Sequence, residues 1–143
     1  MATFQISVAA RNAMLEALET ELGASPILKM RVGALPANVA AADSGVVVAT
    51  MTLPADAFAA AASGVKGKNG TWQDLLADNA GIIGHYRIYK SDRTTCVMQG
   101  DVTEAGGGGM MLVDNNDVND IVESHLKNGQ VVDRLVVPAN VGR

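Results

Sequence analysis

Aromatic residues are scarce in this chain of 143 residues: one tryptophan, two tyrosines and two phenylalanines, 3% of the total. The hydrophobic fraction of 48% is therefore made largely of alanine, valine, methionine and leucine, and a core must be built from small and medium side chains. Cysteine is nearly absent as well. Cys96 stands alone, so no intramolecular disulfide can form and an oxidising compartment receives no support. A small hydrophobe on a strand is the simplest reading of that residue. No run approaches the roughly 18 consecutive apolar residues of a membrane span. Arg11, Glu16, Glu19 and Glu21 interrupt the order of a signal peptide. These features lead us to expect a protein made and folded in a cytoplasm.

Charge is also in short supply. Charged residues amount to 18%, against about a quarter in an average soluble domain. A surface with so little charge suggests that part of it is covered by a partner. The net charge of −4 and the lack of any basic run longer than Lys66-Gly67-Lys68 argue against nucleic acid, whose phosphates require a basic face. A chain of this length fits one domain, and about 70% of its unfolded surface can be buried on folding.

The clearest helix spans residues 7–22, with Ala10, Met14, Ala17, Leu18 and Leu22 on the expected inward face and Arg11, Asn12, Glu16 and Glu19 elsewhere. Gly23 and Pro26 supply its stop. Residues 27–32 alternate as a strand with one wet face. Residues 39–44 suggest a short helical turn, 46–53 a buried strand and 54–62 a brief helix opened by Pro54. The glycine-rich polar stretch 63–70 reads as an exposed loop. Trp72 is an anchor of either the core or an interface. Residues 75–83 form an irregular apolar link.

The strongest local pattern is a β-hairpin, His85 to Tyr89 and Cys96 to Val102 around a polar break at 90–95. Its alternation places Tyr86 and Ile88 inward. His85, Arg87 and Tyr89 then face outward, toward water or a neighbouring subunit. Further along come the glycines Gly106 to Gly109, a strand at 110–113, an Asx-rich turn, a short helix at 118–126, a last strand at 130–137 and a tail from Ala139 to Arg143.

Readings that would carry chemistry weaken in turn. His85 and His125 lie in different elements, and neither has a second ligand at metal spacing. Cys96 and Ser124 lack a nucleophile elbow. A calcium loop starting at Asp114 fails, because Val118 and Asn119 fall where an oxygen ligand and a glycine are needed, and starting at Asp117 puts Ile121 at a ligand position. The glycine run lacks the Gly-Lys-Ser/Thr end of a phosphate loop. The expectation is no catalytic residue, no metal and no cofactor.

The order Gly33-Ala34-Leu35-Pro36-Ala37-Asn38, Ala40-Ala41-Ala42-Asp43-Ser44-Gly45, Thr52-Leu53-Pro54, Gly70-Thr71-Trp72, Gly84-His85-Tyr86-Arg87-Ile88-Tyr89 and Gln99-Gly100-Asp101-Val102 resembles small structural proteins of tailed bacteriophages, the capsid cement or decoration proteins among them. The resemblance covers most of residues 5–115. It implies a mainly β protein, a jelly-roll-like antiparallel β-sandwich over 27–138, which sits on the capsid exterior of the virion. There it would bind the major capsid protein and tie adjacent capsomers together, commonly as a homodimer. An interface of that kind buries on the order of 800 Å² per partner around aromatic, methionine or arginine anchors. Trp72, Phe58, Tyr89, Met110 and Met111 are the candidates, with Arg31, Arg87 and Arg93 as polar contacts to an acidic surface. The alternatives are a carbohydrate-binding or host-attachment module, which would expose aromatic platforms, and a small enzyme, which would gather a histidine and carboxylates in a pocket.

Overall fold

A computed structural model describes residues 3–74 and 76–104, together with the short segments 111–113, 117–118 and 134–135. Among the described residues the protein is mainly β, an open antiparallel sheet with one helix. The expectations for the glycine run, Met110, the second helix beyond Val118, most of the last strand and the tail lie outside the described residues.

Four strands form the sheet: β1 (Ile27–Val32), β2 (Val47–Thr52), β3 (Gly81–Tyr89) and β4 (Cys96–Glu104). Their order is β2-β1-β3-β4, every neighbour antiparallel. Met30 lies opposite both Ala49 and Tyr86, and Tyr86 lies opposite Gly100. Three short strands extend this frame. β5 (Met111–Val113) runs parallel to the end of β4, β6 (Asp117–Val118) pairs with Gly81 and Ile82, and β7 (Arg134–Leu135) pairs with β5. Asp117 and Val118 are thus ladder residues, and the expected helix does not begin at Val118. Strand β3 starts at Gly81, four residues before the expected hairpin, because Ile83 pairs with Val32 across a bulge.

One face of the sheet carries Leu28, Met30, Met51, Tyr86 and Ile88 into a continuous core with Leu22, Leu53, Phe58 and Trp72. Tyr86 and Ile88 point inward, as the alternation requires. Trp72 is fully buried. Its ring meets Phe58 edge to face at 5.1 Å, and Nε1 donates to the carbonyls of Ala57 and Asn69, both at 3.2 Å. An amphipathic ring with its one donor satisfied is a core anchor by the usual physics of tryptophan.

Helix α1 (Val8–Leu22) starts where the Ser7 hydroxyl accepts from the Ala10 amide and ends at Gly23, whose φ of 75° and bond to the Glu19 carbonyl form a left-handed cap. Its orientation departs from the expected one. Leu15 and Leu22 are buried, whereas Ala10, Met14 and Ala17 are exposed. The polar residues face the protein instead: Asn12 accepts from the Gly64 amide, Glu16 from Ala61 and Glu19 from Phe58. Lys66, 3% exposed, is clamped by Glu16 at 2.9 Å and Glu19 at 2.7 Å. The magnitudes explain the rotation. Burying an alanine methyl contributes about 0.8 kcal/mol, whereas each unpaired buried amide costs about 1–3 kcal/mol and an unpaired buried ammonium costs more. Burial alone would lower the Lys66 pKa, but Glu19 and Glu16 outweigh it and raise it.

The segment that α1 grips was expected as a brief helix at 54–62 followed by an exposed loop at 63–70. It is a small hairpin excursion, with bridges Phe58↔Lys68 and Ala62↔Val65. Ser63 (φ 55°) and Gly64 (φ 74°) form its two-residue turn, and two left-handed residues in succession suit a tight hairpin rather than a helix. The outer edge of β2 is also occupied. Asp78 and Asn79 amides donate to the Val48 carbonyl, the Asn79 side chain donates to Val47, and the Asp74 carboxylate accepts from the Thr50 amide. That cover blocks strand addition at this edge. No helix among the described residues is long and apolar enough to cross a membrane.

Two outcomes are expected. Trp72→Ala should lower stability by about 3–5 kcal/mol in denaturant unfolding; an unchanged midpoint would place the ring outside the core. Lys66→Ala should raise hydrogen exchange across residues 8–22 more than across β1 and β3, because the clamp on α1 is lost.

Candidate functional site

The other face of the sheet is polar, yet it is covered. Lys29 and Arg31 of β1, His85, Arg87 and Tyr89 of β3, and Gln99 and Asp101 of β4 fall in cross-strand rows, Lys29↔Arg87↔Gln99 and Arg31↔His85↔Asp101. His85, Arg87, Tyr89 and Arg31 are all buried. An outer face toward water was expected for the β1 residues, and one toward water or a neighbouring subunit for those of β3; the structure corrects both, because the β1–β2 connection, residues 33–46, lies across them as a strap.

Side chains from the sheet hold the strap along its length. His85 Nδ1–H donates to the Gly33 carbonyl at 2.8 Å, and Gln99 donates to Pro36 at 2.8 Å. Arg87 reaches the carbonyls of Val39 at 2.7 Å and Ala41 at 3.0 Å, and Arg31 reaches that of Gly45 at 3.0 Å. The strap braces itself at Asn38, whose side-chain oxygen accepts from the Ala40 and Ala41 amides. The expected helical turn at 39–44 is this single Asx turn. Both ends approach the sheet too closely for a side chain. A Cβ at Gly84 would stand 2.3 Å from the Gly33 oxygen, and one at Gly45, where φ is 76°, would stand 2.0 Å from the Val32 oxygen.

Asp43 is the centre of this arrangement. Its Oδ1 accepts from Arg87 at 2.5 Å and from the Tyr89 hydroxyl at 2.6 Å, while Oδ2 accepts from Arg31 at 2.8 Å. Desolvation would raise the Asp43 pKa, but the Tyr89 hydroxyl and the two guanidinium groups outweigh it and hold the carboxyl below its ordinary value. Burial, reinforced by Asp43, pushes the Tyr89 phenol up to about 12, so it remains a donor at neutral pH. One carboxylate thus serves two buried cations and a phenol.

Where the strap approaches the β3–β4 turn, it leaves a cleft of about 590 Å³ lined by Lys29, Val39–Asp43, Arg87 and Arg93–Cys96. Asp92 shapes the turn by accepting from the Thr95 hydroxyl and the Thr95 and Thr94 amides, which holds its carboxyl down to about 2. Arg93 takes a left-handed φ of 67° at the tip. Lys29 Nζ sits 4.9 Å over the Tyr89 ring. Cys96 is half-buried at the cleft wall, not fully buried, and burial pushes its thiol up against the pull of Arg87.

The eight expected anchors therefore separate. Trp72 and Phe58 sit in the core, Arg31, Arg87 and Tyr89 bind the strap within the same chain, and Arg93 is exposed at the cleft. Met111 enters as a backbone position in β5, and Met110 lies outside the described residues. Asp43, Asn38 and Gln99 were missed as site residues. For Asp43 there was a signal: it is the only carboxylate between Glu21 and Asp56, in the connection that follows the arginine-bearing strand β1. His85 keeps one ring nitrogen, Nε2, without a hydrogen-bond partner in a fully buried position, and its ring is enclosed between sheet and strap. Among the described residues no group of three or more His, Cys, Asp or Glu residues could hold a metal ion.

Comparison with known proteins adds no relative: no family model, no curated protein and no solved structure matches the chain.

Removing the shared carboxylate leaves two buried guanidinium groups unbalanced. Because Asp43 is itself 38% exposed, water screens part of the loss, and Asp43→Ala is expected to cost about 2–3 kcal/mol in urea unfolding. The pH dependence follows from the lowered pKa. The Asp43 contribution is fully present above its ordinary value of 3.8 and disappears as pH falls through the lower folded-state value. Asp43→Asn should therefore lose less stability than the parent protein between pH 5 and pH 2, and equal losses in both would show that the carboxylate is not linked to folding.

Proposed function

We propose that this chain is a non-enzymatic structural protein of a tailed-phage virion, which binds the outside of the capsid and ties adjacent capsomers together through the major capsid protein, acting as a homodimer. In this reading the open sheet is part of a jelly-roll-like sandwich. The observation that carries the proposal is the strap. A connection of this length would ordinarily be mobile, yet here the sheet side chains fix it at Gly33, Pro36, Val39, Ala41, Asp43 and Gly45. Its exposed apolar side chains, Leu35 at 40%, Val39 at 41% and Val46 at 55%, are then presented on a preformed surface. Preorganisation of that kind lowers the ordering cost of association.

The contact role accordingly moves from the buried anchors to the strap's outer side chains and Arg93, while Arg31, Arg87 and Tyr89 act as its supports. The enclosed His85 ring and the raised Cys96 thiol suit a scaffold better than nucleophilic chemistry. A carbohydrate-binding module is disfavoured by the aromatic residues, since Trp72, Tyr86, Tyr89 and Phe58 are buried and only Phe4 is exposed.

The test is co-sedimentation of the purified protein with assembled phage heads that lack it. Binding at micromolar concentration is expected, and Leu35→Asp combined with Val46→Asp should abolish it with the fold retained by circular dichroism. A folded parent protein that fails to bind, or a double variant that binds equally well, contradicts the proposal.

A further inference from the structure

We propose that the cleft between the strap and the β3–β4 turn is a carboxylate-binding site that receives an acidic peptide segment of a partner protein. The inference deepens the reading above and rests on it for the partner, though not for the chemistry of the cleft. Three cationic side chains line the cleft, Lys29, Arg87 and Arg93, and one carboxylate, Asp43. That carboxylate is already committed. Both its oxygens are taken by Arg31, Arg87 and Tyr89, so it has little capacity left to neutralise Lys29 or Arg93. Among the described residues neither of these two cations is ion-paired. Arg87, buried beneath them, keeps its Nε without a hydrogen-bonded acceptor. The cleft is therefore a local excess of positive charge in a protein of net charge −4.

Shape and setting narrow the ligand. A volume of about 590 Å³ lies within the range of specific ligand sites, and the wall formed by Val39 and Ala40–Ala42 is apolar and made of small residues. Such a wall fits the aliphatic stems of aspartate or glutamate side chains on an extended peptide, with the carboxylates meeting Lys29 and Arg93 at the rim. Nucleic acid would need an extended basic face, which this acidic chain does not supply. The backbone at Arg93 is also fixed: the Asp92 bonds to Thr94 and Thr95 and the Arg93 amide bond to the Lys90 carbonyl hold the turn that places it in the left-handed region. An exposed non-glycine residue held in that conformation marks a turn whose geometry is constrained.

Cys96 offers a direct readout, because it is the sole cysteine and lines the cleft. The probe is an acetylated hexapeptide alternating aspartate and alanine, with an asparagine–alanine peptide and inorganic phosphate as controls, all titrated against the full chain. The acidic peptide is expected to slow alkylation of Cys96 by N-ethylmaleimide about tenfold at saturation, an effect that 0.5 M salt removes. Lys29→Gln and Arg93→Gln should each weaken the protection at least fivefold, while Lys68→Gln, away from the cleft, leaves it unchanged. No protection at millimolar peptide, equal protection by the asparagine peptide, protection by phosphate alone, or protection that survives both cleft substitutions overturns the inference. Head binding separates the two proposals. Heads that bind the parent and the folded Lys29→Gln/Arg93→Gln variant equally overturn the cleft as a docking site and leave the capsid reading standing, whereas peptide protection without head binding contradicts the capsid reading alone.

Discussion

The shared carboxylate of Asp43 is the interaction on which the polar half of this structure depends. Two arginines and a tyrosine project from one face of the sheet, and each would be costly to bury alone. A single carboxylate brought over them by the strap accepts from all three. Because Arg31 comes from β1 and both Arg87 and Tyr89 come from β3, the same carboxylate couples two paired strands to the connection that follows the first of them. Terminal guanidinium nitrogens of both arginines also reach carbonyls of the strap, so the cover and the charge balance form together.

The two faces of the sheet solve different problems. On the core side, Met30, Tyr86, Ile88, Trp72 and their neighbours contribute non-directional burial, which tolerates exchange of similar volumes. On the strapped side the bonds are directional, and the close approaches at Gly84 and Gly45 leave no room for adjustment. The polar side therefore specifies where the strap lies more than it adds to stability, since exchanging water for protein partners yields only about 0.5–1.5 kcal/mol per hydrogen bond. The clamp of Glu16 and Glu19 on Lys66 repeats this logic at the helix, where polar contacts set the rotation and leave apolar residues outside.

Much of the sheet was legible because its signals are local. Residues 27–32 form a strand with the expected bounds, 46–53 and the hairpin lie close to theirs, and Tyr86 and Ile88 point inward. What was not legible depends on partners distant in sequence. Arg31, His85 and Arg87 look like wet-face residues until a connection beginning two residues after Arg31 folds back over them. The orientation of α1 depends on Lys66, about 50 residues from Glu16. The excursion at 57–68 hides its strand character because its turn is Ser63-Gly64 rather than a common hairpin pair. Gly33, Asn38, Gly45 and Gly84 are the places where the strap bends or touches the sheet.

The central claim is that Asp43 holds the strap against the sheet. Hydrogen exchange resolved by segment tests it most directly, comparing the parent protein with Asp43→Ala under native conditions. The account predicts that residues 33–46 exchange at least tenfold faster in the variant while β1 and β3 change much less, a local release of the strap. Unchanged exchange across 33–46, or a uniform increase across the whole sheet, would contradict it.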